Sequence, residues 1–231
     1  MSMMGSEEIN RSYKFDHNFK LQMENFEDEK IVSVMKMMLY MNEGLGTMGV
    51  KLEGAGSEQL DFMVLDIKKN EMLTMMNNQG QKMGMRIEMD SSELPEEENQ
   101  DIADIGFEKT GQSKVISGYN CDEYKIVGKS EEDKNKGNQY FWITDDTEAD
   151  WIKSVSAFLE YASRMPTSYN LPDSYPEGSV IQMVQVSEDK KTKNVITVLE
   201  VNMNDSFSYS TSGYSFMNMP STDGGIYPGM K

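Results

Sequence analysis

Apolar and polar residues alternate over several stretches of the chain, which is the pattern of β-strands with one buried face. The first stretch, YKFDHNFKLQME at residues 13–24, predicts one strand whose aromatic residues share the buried face. The next, IVSVMKMMLYM at residues 31–41, is largely apolar at both alternating sets of positions, so we predict a strand covered on both faces. Two long neighbouring strands indicate an antiparallel hairpin.

Further strands are predicted as a meander. DFMVLDIKKNEMLTMM predicts two short strands about the turn at residues 68–70, and NNQG at residues 77–80 predicts a turn before the strand QKMGMRIEM. In that strand Met83, Met85 and Ile87 alternate with charged residues or glycine. Later strands are predicted at residues 107–116, 118–126, 139–143, 179–186 and 194–203.

One helix is predicted from residue 147 to residue 165. Thr147 and Asp150 approximate a capping box, an apolar stripe that includes Trp151 and Phe158 follows, and Pro166 ends the helix. The predicted fold class is therefore mainly β (α+β): a large, mostly antiparallel sheet with one principal helix packed on its apolar face.

The same patterns predict the domain organisation. Residues 13–220 are expected to form a single domain, interrupted by an acidic loop at residues 90–101. Residues 1–12 are expected to be a disordered or foreign N-terminal segment, and residues 221–231 a flexible tail.

Charge narrows the classes of partner. The chain has 22 Lys and Arg residues against 39 Asp and Glu residues, a formal net charge of -17. This charge repels phosphate backbones and anionic head groups, so nucleic acid is not an expected partner. No run of about 18 apolar residues is present to span a membrane as a helix. The N-terminal residues lack the regions of a signal peptide, which leaves open a cytosolic protein or one whose signal peptide has been removed.

Methionine is the unusual residue: the chain has 22, and 12 of them lie between Met35 and Met89. Its unbranched, polarizable side chain suits surfaces that adapt to ligands of varied shape. A large sheet with one helix has more apolar surface than the helix covers, so we predict a groove or cavity lined by aromatic residues and methionines. A fully packed core without a ligand is the alternative.

Few residues suit catalysis. The single cysteine, Cys121, is flanked by Asp122 and Glu123, which raise the pKa of a thiol, so we interpret it as a small buried residue and not as a nucleophile. The single histidine, His17, lies among aromatic residues of its strand and is interpreted as a core or cavity residue. No zinc-ligand set, nucleophile elbow or phosphate-binding loop is recognisable. Neither an enzyme nor a cofactor is expected.

Two weaker metal hypotheses remain. Four acidic residues before the predicted helix could offer oxygen ligands to calcium, but they are more typical of a helix N-terminus; they are Asp145, Asp146, Glu148 and Asp150. Some methionine pairs could offer the soft sulfur ligands that Cu(I) prefers, at a spacing that strand faces also produce; they are Met35/Met37, Met38/Met41 and Met83/Met85.

The motif GYNCDEY at residues 118–124, followed by WITD at residues 142–145, resembles the family called domain of unknown function 4412. The segments FMVLDIKKNEMLTMM and FSYSTSGYSFMNMP are also similar to parts of that family, so the resemblance spans residues 13–220. The family is similar in outline to the LolA/LolB lipoprotein carriers, whose curved antiparallel half-barrel accepts acyl chains on a concave apolar side capped by helices. The resemblance implies this half-barrel, with the predicted helix on its concave face. It also implies a periplasmic, outer-membrane-associated or secreted protein whose signal peptide has been removed.

We therefore expect a non-enzymatic cell-envelope protein that binds a lipid or another hydrophobic ligand, with peripheral or lipid-anchored membrane association and an undetermined oligomeric state. A structural or protein-interaction module with a filled core is the first alternative, and a Cu(I)-binding protein is the second. The candidate cavity residues are Tyr13, Phe15, His17, Phe19, Met35, Met37, Met83, Met85, Trp142, Trp151 and Phe158.

Overall fold

The structure is a computed structural model that describes residues 9–42, 44, 46–54, 59–88, 105–128, 138–146 and 176–219. The strands in the first half of the chain are β1 Ser12–Phe15, β2 His17–Glu27, β3 Lys30–Asn42, β4 Thr47–Glu53, β5 Leu60–Asp66, β6 Glu71–Asn78 and β7 Gln81–Glu88. Those in the second half are β8 Ile105–Ile116, β9 Tyr119–Gly128, β10 Asn138–Thr144, β11 Ser179–Val186, β12 Thr192–Asn202, β13 Phe207–Ser210 and β14 Ser215–Met219.

Twelve of these strands form one large curved sheet in the order β14-β7-β6-β5-β4-β3-β2-β12-β11-β10-β9-β8. β1 and β13 form a separate two-stranded antiparallel sheet, in which Ser12 lies opposite Ser210. β14 pairs in parallel with β7, and every other pairing among the described strands is antiparallel. The prediction of a mainly β protein with a large antiparallel sheet is confirmed.

The turns predicted in the first half are confirmed. The turn between β5 and β6 places Asn70 in the left-handed region at φ 49°, and Asp66 Oδ1 accepts a hydrogen bond from the backbone N–H of Lys69 at 3.2 Å. In the turn between β6 and β7, Asn77 Oδ1 accepts a hydrogen bond from the N–H of Gly80 at 2.9 Å. Short polar side chains thus replace backbone acceptors where the chain reverses.

The first predicted strand, residues 13–24, is in fact two strands in two different sheets. β1 ends at Phe15 and β2 begins at His17. Between them, Asp16 donates its backbone N–H to the carbonyl oxygen of Met41 at 2.8 Å. β1 continues to β13, whereas β2 pairs with β3 and β12. The alternating pattern does not reveal this break, because ring side chains continue at every second position across it, at Phe15, His17 and Phe19.

The prediction that β3 is covered on both faces holds for its C-terminal end only. Residues 39–42 are buried, whereas Ile31, Val32 and Val34 are 52 to 54% exposed. The reason is the length of the neighbouring strand, since β4 pairs with β3 only between Lys36 and Asn42. The β2–β3 hairpin therefore extends beyond β4, with apolar side chains in solvent.

The predicted helix at residues 147–165, the acidic loop at 90–101 and the tail at 221–231 lie outside the described residues. None of the residues that the structure describes is helical, so the principal helix stays a prediction. In the same part of the chain, no helix is long and apolar enough to cross a membrane. The domain limits also stay a prediction, while the described strands run from Ser12 to Met219.

Two apolar clusters lie on opposite faces of the large sheet. Along β3, Leu39 and Met41 belong to one cluster, whereas Tyr40 between them belongs to the other. The larger cluster, here the main cluster, extends from β2–β5 to the strands around Trp142. The smaller one, here the aromatic cluster, joins the large sheet to β1 and β13; its buried members are Tyr13, Phe15, Tyr40, Phe62, Val64, Leu73 and Met75.

Candidate functional site

The face that carries the aromatic cluster is filled by side chains. Phe207 and Tyr209 of β13 stack on this cluster, with ring centroids 4.3 Å apart for Tyr40–Phe207 and 4.1 Å apart for Phe62–Tyr209. Gly49 of β4 is required by this packing, because a Cβ atom there would lie 2.5 Å from the ring of Phe62. The small sheet therefore packs tightly on this face of β3–β6.

A buried ion pair closes one end of the aromatic cluster. Glu71 is 0% exposed and Arg86 is 4% exposed, and Arg86 Nε donates to Glu71 Oε2 at 2.7 Å. The hydroxyl of Tyr13 donates to Glu71 Oε1 at 3.2 Å. Burial and the neighbouring Glu71 carboxylate raise the pKa of Tyr13 well above its usual value. This arrangement holds β1 against β6 and β7.

Sequence reasoning missed this ion pair. Arg86 falls at a position that alternation assigns to the polar side of its strand, so nothing marked it as buried. The available signal was Glu71, because it shares its side of β6 with Leu73 and Met75, both of which are buried. A carboxylate in line with core residues needs a charged or hydrogen-bonding partner.

The opposite face of the large sheet carries apolar residues in continuous cross-strand rows. One row contains directly paired residues of eight neighbouring strands: Val201, Phe19, Leu39, Val50, Met63, Thr74, Met85 and Met217. The row beside it contains His17, Met41, Met48, Leu65, Met72 and Ile87. A shorter row contains Met76, Met83 and Ser215. Directly paired residues share a face, and we call this the methionine face.

Burial decreases along the methionine face toward its β14 edge. Phe19, Leu39 and Val50 are at most 4% exposed, so the centre of the face is packed. From β5 to β7 the side chains other than buried Leu65 are half-buried, and at the edge Met217 is 53% exposed. We call this outer region the methionine patch; its members are Met63, Met72, Met76, Met83, Met85 and Met217.

The methionine patch is almost entirely apolar. Between β5 and β14, the described residues of its rows include two polar ones, Thr74 and Ser215, and no charged one. The charged and bulky groups of the same strands face the other side: Arg86 is paired with Glu71, and Phe216 lies over Gly84, where a Cβ atom would collide with its ring. The patch is thus an apolar, adaptable surface next to a packed core.

The structure does not bring the predicted cavity residues together on one surface. Those on the methionine face are His17, Phe19, Met35, Met37, Met83 and Met85. Tyr13 and Phe15 lie on the opposite face in the aromatic cluster. Met35 is 43% exposed on the part of β3 that extends past β4. Trp151 and Phe158 lie outside the described residues.

Trp142 and Cys121 are buried in the main cluster. Lys114 Nζ lies 3.9 Å from the centroid of the Trp142 ring and donates to Gln182 Oε1 at 2.9 Å. Cys121 is 1% exposed, and burial raises the pKa of its thiol to about 11. A protonated, buried thiol is a poor nucleophile. The prediction of a small buried residue at position 121 is confirmed.

The structure describes two of the four acidic residues considered as calcium ligands. Asp145 and Asp146 are exposed, and Asp146 accepts hydrogen bonds from Asn120, while Glu148 and Asp150 lie outside the described residues. Within the described part of the chain, no group of three His, Cys, Asp or Glu side chains could hold a metal ion.

Two of the three methionine pairs keep a shared face. Met38 packs on the aromatic cluster and Met41 belongs to the main cluster, so the sheet separates that pair. Met35 and Met37, and likewise Met83 and Met85, lie two residues apart on one strand and share a face.

No functionally curated protein is detectably similar to the chain in sequence. Among solved structures, the chain is similar to an uncharacterized conserved protein of Thermus thermophilus, with a TM-score of 0.46, 9% identity and coverage of 89% of this chain and 91% of that one. It is also similar to the lipoprotein LppX of Mycobacterium tuberculosis, with a TM-score of 0.40, 9% identity and coverage of 81% and 87%. For a LolA superfamily protein of Nitrosomonas europaea the TM-score is 0.33 at 8% identity, with coverage of 83% and 87%.

At these levels of similarity the solved structures assign no ligand or partner to this chain. The sequence comparison is more direct, because residues 20–210 match the family described as domain of unknown function (DUF4412). That match includes the GYNCDEY and WITD motifs, so the resemblance inferred from them is confirmed. The chain belongs to the DUF4412 family.

Proposed function

We propose that the chain is a non-enzymatic binding protein that holds the apolar chain of a lipid, or a similar hydrophobic ligand, on the methionine patch. The observation that carries this proposal is the difference between the two faces of the sheet. The aromatic face is covered by β1 and β13, and the centre of the methionine face is packed. The methionine patch combines a continuous apolar surface with half-exposed side chains.

The chemistry of the patch favours an alkyl chain over a protein partner. Binding energy at protein interfaces is concentrated in Trp, Tyr and Arg side chains, and the patch contains none of them. Methionine side chains bend to fill irregular space, so they can follow a flexible alkyl chain without requiring one fixed shape. Thr74, within the patch, offers a hydroxyl for a polar group of the ligand.

The net charge of -17 favours a ligand with a neutral or zwitterionic polar group, because the protein repels anions. The location in the cell envelope, expected from the family resemblance, is part of the same proposal. Fractionation of the host cell, with antibody detection of the protein in cytosol, periplasm and membranes, tests that part separately.

The binding proposal is tested with n-octyl, n-decyl and n-dodecyl glucoside, which share one neutral head group, below their micelle concentrations. Each fully buried CH₂ group contributes about 0.8 kcal/mol, or about a fourfold change in Kd. Because the patch encloses a chain from one side, we expect the Kd from calorimetry to decrease about two- to fourfold per CH₂. A Kd independent of chain length would contradict the proposal.

Variants locate the binding. Replacing Met83 and Met85 together by Glu puts two charges in the middle of the patch and is expected to abolish glucoside binding. Met203→Glu is the matched control, because Met203 is 44% exposed and lies outside the patch. Equal circular dichroism spectra and melting temperatures would show that the fold is kept. Unchanged binding by the folded double variant would favour the interaction module with a filled core.

A further inference from the structure

We propose that the outer corner of the methionine patch is also a site for a soft monovalent metal ion, Cu(I), held by thioether sulfur atoms. The corner, here the thioether corner, consists of Met76 on β6, Met83 and Met85 on β7, and Met217 on β14. This inference does not depend on lipid binding, because it concerns sulfur as a ligand and not the apolar surface.

The strand register brings these four side chains together. Met76 lies directly opposite Met83, and Met85 lies directly opposite Met217. Directly opposite residues have their Cβ atoms about 4.5–5.5 Å apart, and residues two apart on one strand are about 6.7 Å apart. Met76 and Met217 lie on opposite sides of β7, about 9.5 Å apart across the sheet. Methionine has three rotatable side-chain bonds, so the sulfur atoms of Met83, Met85 and one of these two flanking methionines can converge on one ion. The parallel pairing of β14 with β7 delivers Met217 to this corner.

The surroundings favour a soft ion over a hard one. Thioether sulfur binds Cu(I), whereas Ca²⁺ and Mg²⁺ require several oxygen ligands. The rows of the thioether corner contain no carboxylate, and their hydroxyls belong to Thr74 and Ser215. The overall charge of -17 raises the local concentration of cations of any kind. Selectivity therefore comes from the ligand atoms, and attraction comes from the charge.

Access distinguishes this corner from the other methionines of the same face. Met41 and Met48 are 4% and 2% exposed in the main cluster, so an ion would have to displace packed side chains to reach them. Met76, Met83 and Met85 are half-buried and Met217 is 53% exposed. An ion can reach the corner from solvent and lose its water there to sulfur.

The test uses Ag(I), a soft monovalent ion that needs no reductant, added to the full chain in chloride-free buffer. The background is Cys121→Ala, since the one thiol of the chain would otherwise compete for silver. We expect native mass spectrometry to show one tightly bound silver ion per chain. Replacing Met83 and Met85 by Leu should weaken binding at least about tenfold, because loss of a ligand costs at least as much as loss of a supporting contact. Competition with bicinchoninate then measures Cu(I) affinity in the same variants.

Substitution by leucine tests the sulfur ligands separately from the apolar surface on which lipid binding depends. Met→Leu conserves apolar volume and removes sulfur, so loss of silver in the leucine variant reports on the sulfur ligands and not on the apolar surface. Met217→Leu provides a second test at an exposed position where folding is not at risk, and Met203→Leu is the control. Absence of silver binding, or silver affinity unchanged in the Met83/Met85 leucine variant and in Met217→Leu, would overturn the metal site. The chain-length series decides the lipid proposal independently.

Discussion

The buried ion pair between Glu71 and Arg86 is the feature whose removal should change stability most. Each side chain is at most 4% exposed, and their hydrogen bond of 2.7 Å joins β6 to β7 under the small sheet. The perturbation is a double-mutant cycle of Glu71→Met, Arg86→Met and both together. Methionine keeps an unbranched apolar side chain at each position, so the cycle removes charge with little change in packing.

The expected loss in free energy of unfolding depends on which charge remains buried without its partner. In Arg86→Met, the Glu71 carboxylate keeps the hydroxyl of Tyr13 at 3.2 Å and the ammonium of Lys69 at 3.9 Å but loses its guanidinium. Removing one partner of a buried pair destabilises a protein by about 3–5 kcal/mol, whereas replacing both partners by apolar residues is often neutral or stabilising. We therefore expect each single variant to lose about 3–5 kcal/mol and the double variant to lose clearly less than the sum.

Urea unfolding followed by tryptophan fluorescence and circular dichroism measures these changes as shifts in the midpoint. The single variants should unfold at much lower urea, because the total free energy of unfolding of a domain is about 5–15 kcal/mol. A coupling energy of at least about 2 kcal/mol is the expected signature of residues in one buried network. Single variants within about 1 kcal/mol of the natural protein, or losses that simply add, would refute the reasoning that this pair is a desolvated, mutually dependent unit.

Three further outcomes follow from the packing. The pKa of Cys121 is raised from an ordinary 9.0 to about 11, so the protonated thiol favours the folded state below pH 9. This contribution to stability disappears as the pH rises to 11. Urea midpoints should therefore decline less steeply between pH 9 and pH 11 in Cys121→Ala than in the unmodified chain. Gly49→Ala should lower the free energy of unfolding by about 1–3 kcal/mol, because its Cβ would overlap Phe62. Gly44→Ala is the control and should be nearly neutral, since the nearest atom to its Cβ is 3.5 Å away. Equal melting temperatures of the two variants would contradict this. Val34→Lys, on the exposed apolar end of β3, should reduce concentration-dependent association in light scattering with a stability change of about 0.5 kcal/mol or less.

The sequence predicted the strands and their turns well because both depend on neighbouring residues. The alternation in β7 and the Asn77 turn before it were recognisable from a few positions, and both are present. The burial of Cys121 was also predictable, because acidic neighbours and strand periodicity argue against a reactive thiol. These inferences need no knowledge of which parts of the chain meet.

What the sequence could not predict depends on contacts between distant segments. Tyr13 and Phe15 were grouped with Phe19 because they alternate in register, but the chain breaks at Asp16 and β1 joins β13, near the other end of the chain. Period-two alternation identifies the residues that share a face and does not identify the segment that covers it. The same limit explains why Arg86 was assigned to the polar side of its strand, since the small sheet that buries it is formed by residues from both ends of the chain.

This covering sheet also determines where a ligand site can exist. β5 and β6 are largely apolar on both faces, and a sheet of that kind must be covered twice or leave one surface for another molecule. On the aromatic face, β1 and β13 provide cover, and the packing is tight enough to require glycine at position 49. On the methionine face, burial decreases from Val50 of β4 to Met217 of β14, where β14 adds width to the sheet. Among the described residues of this face, the flexible methionine side chains are thus concentrated where side chains are half-buried or exposed, an arrangement that suits an adaptable binding surface.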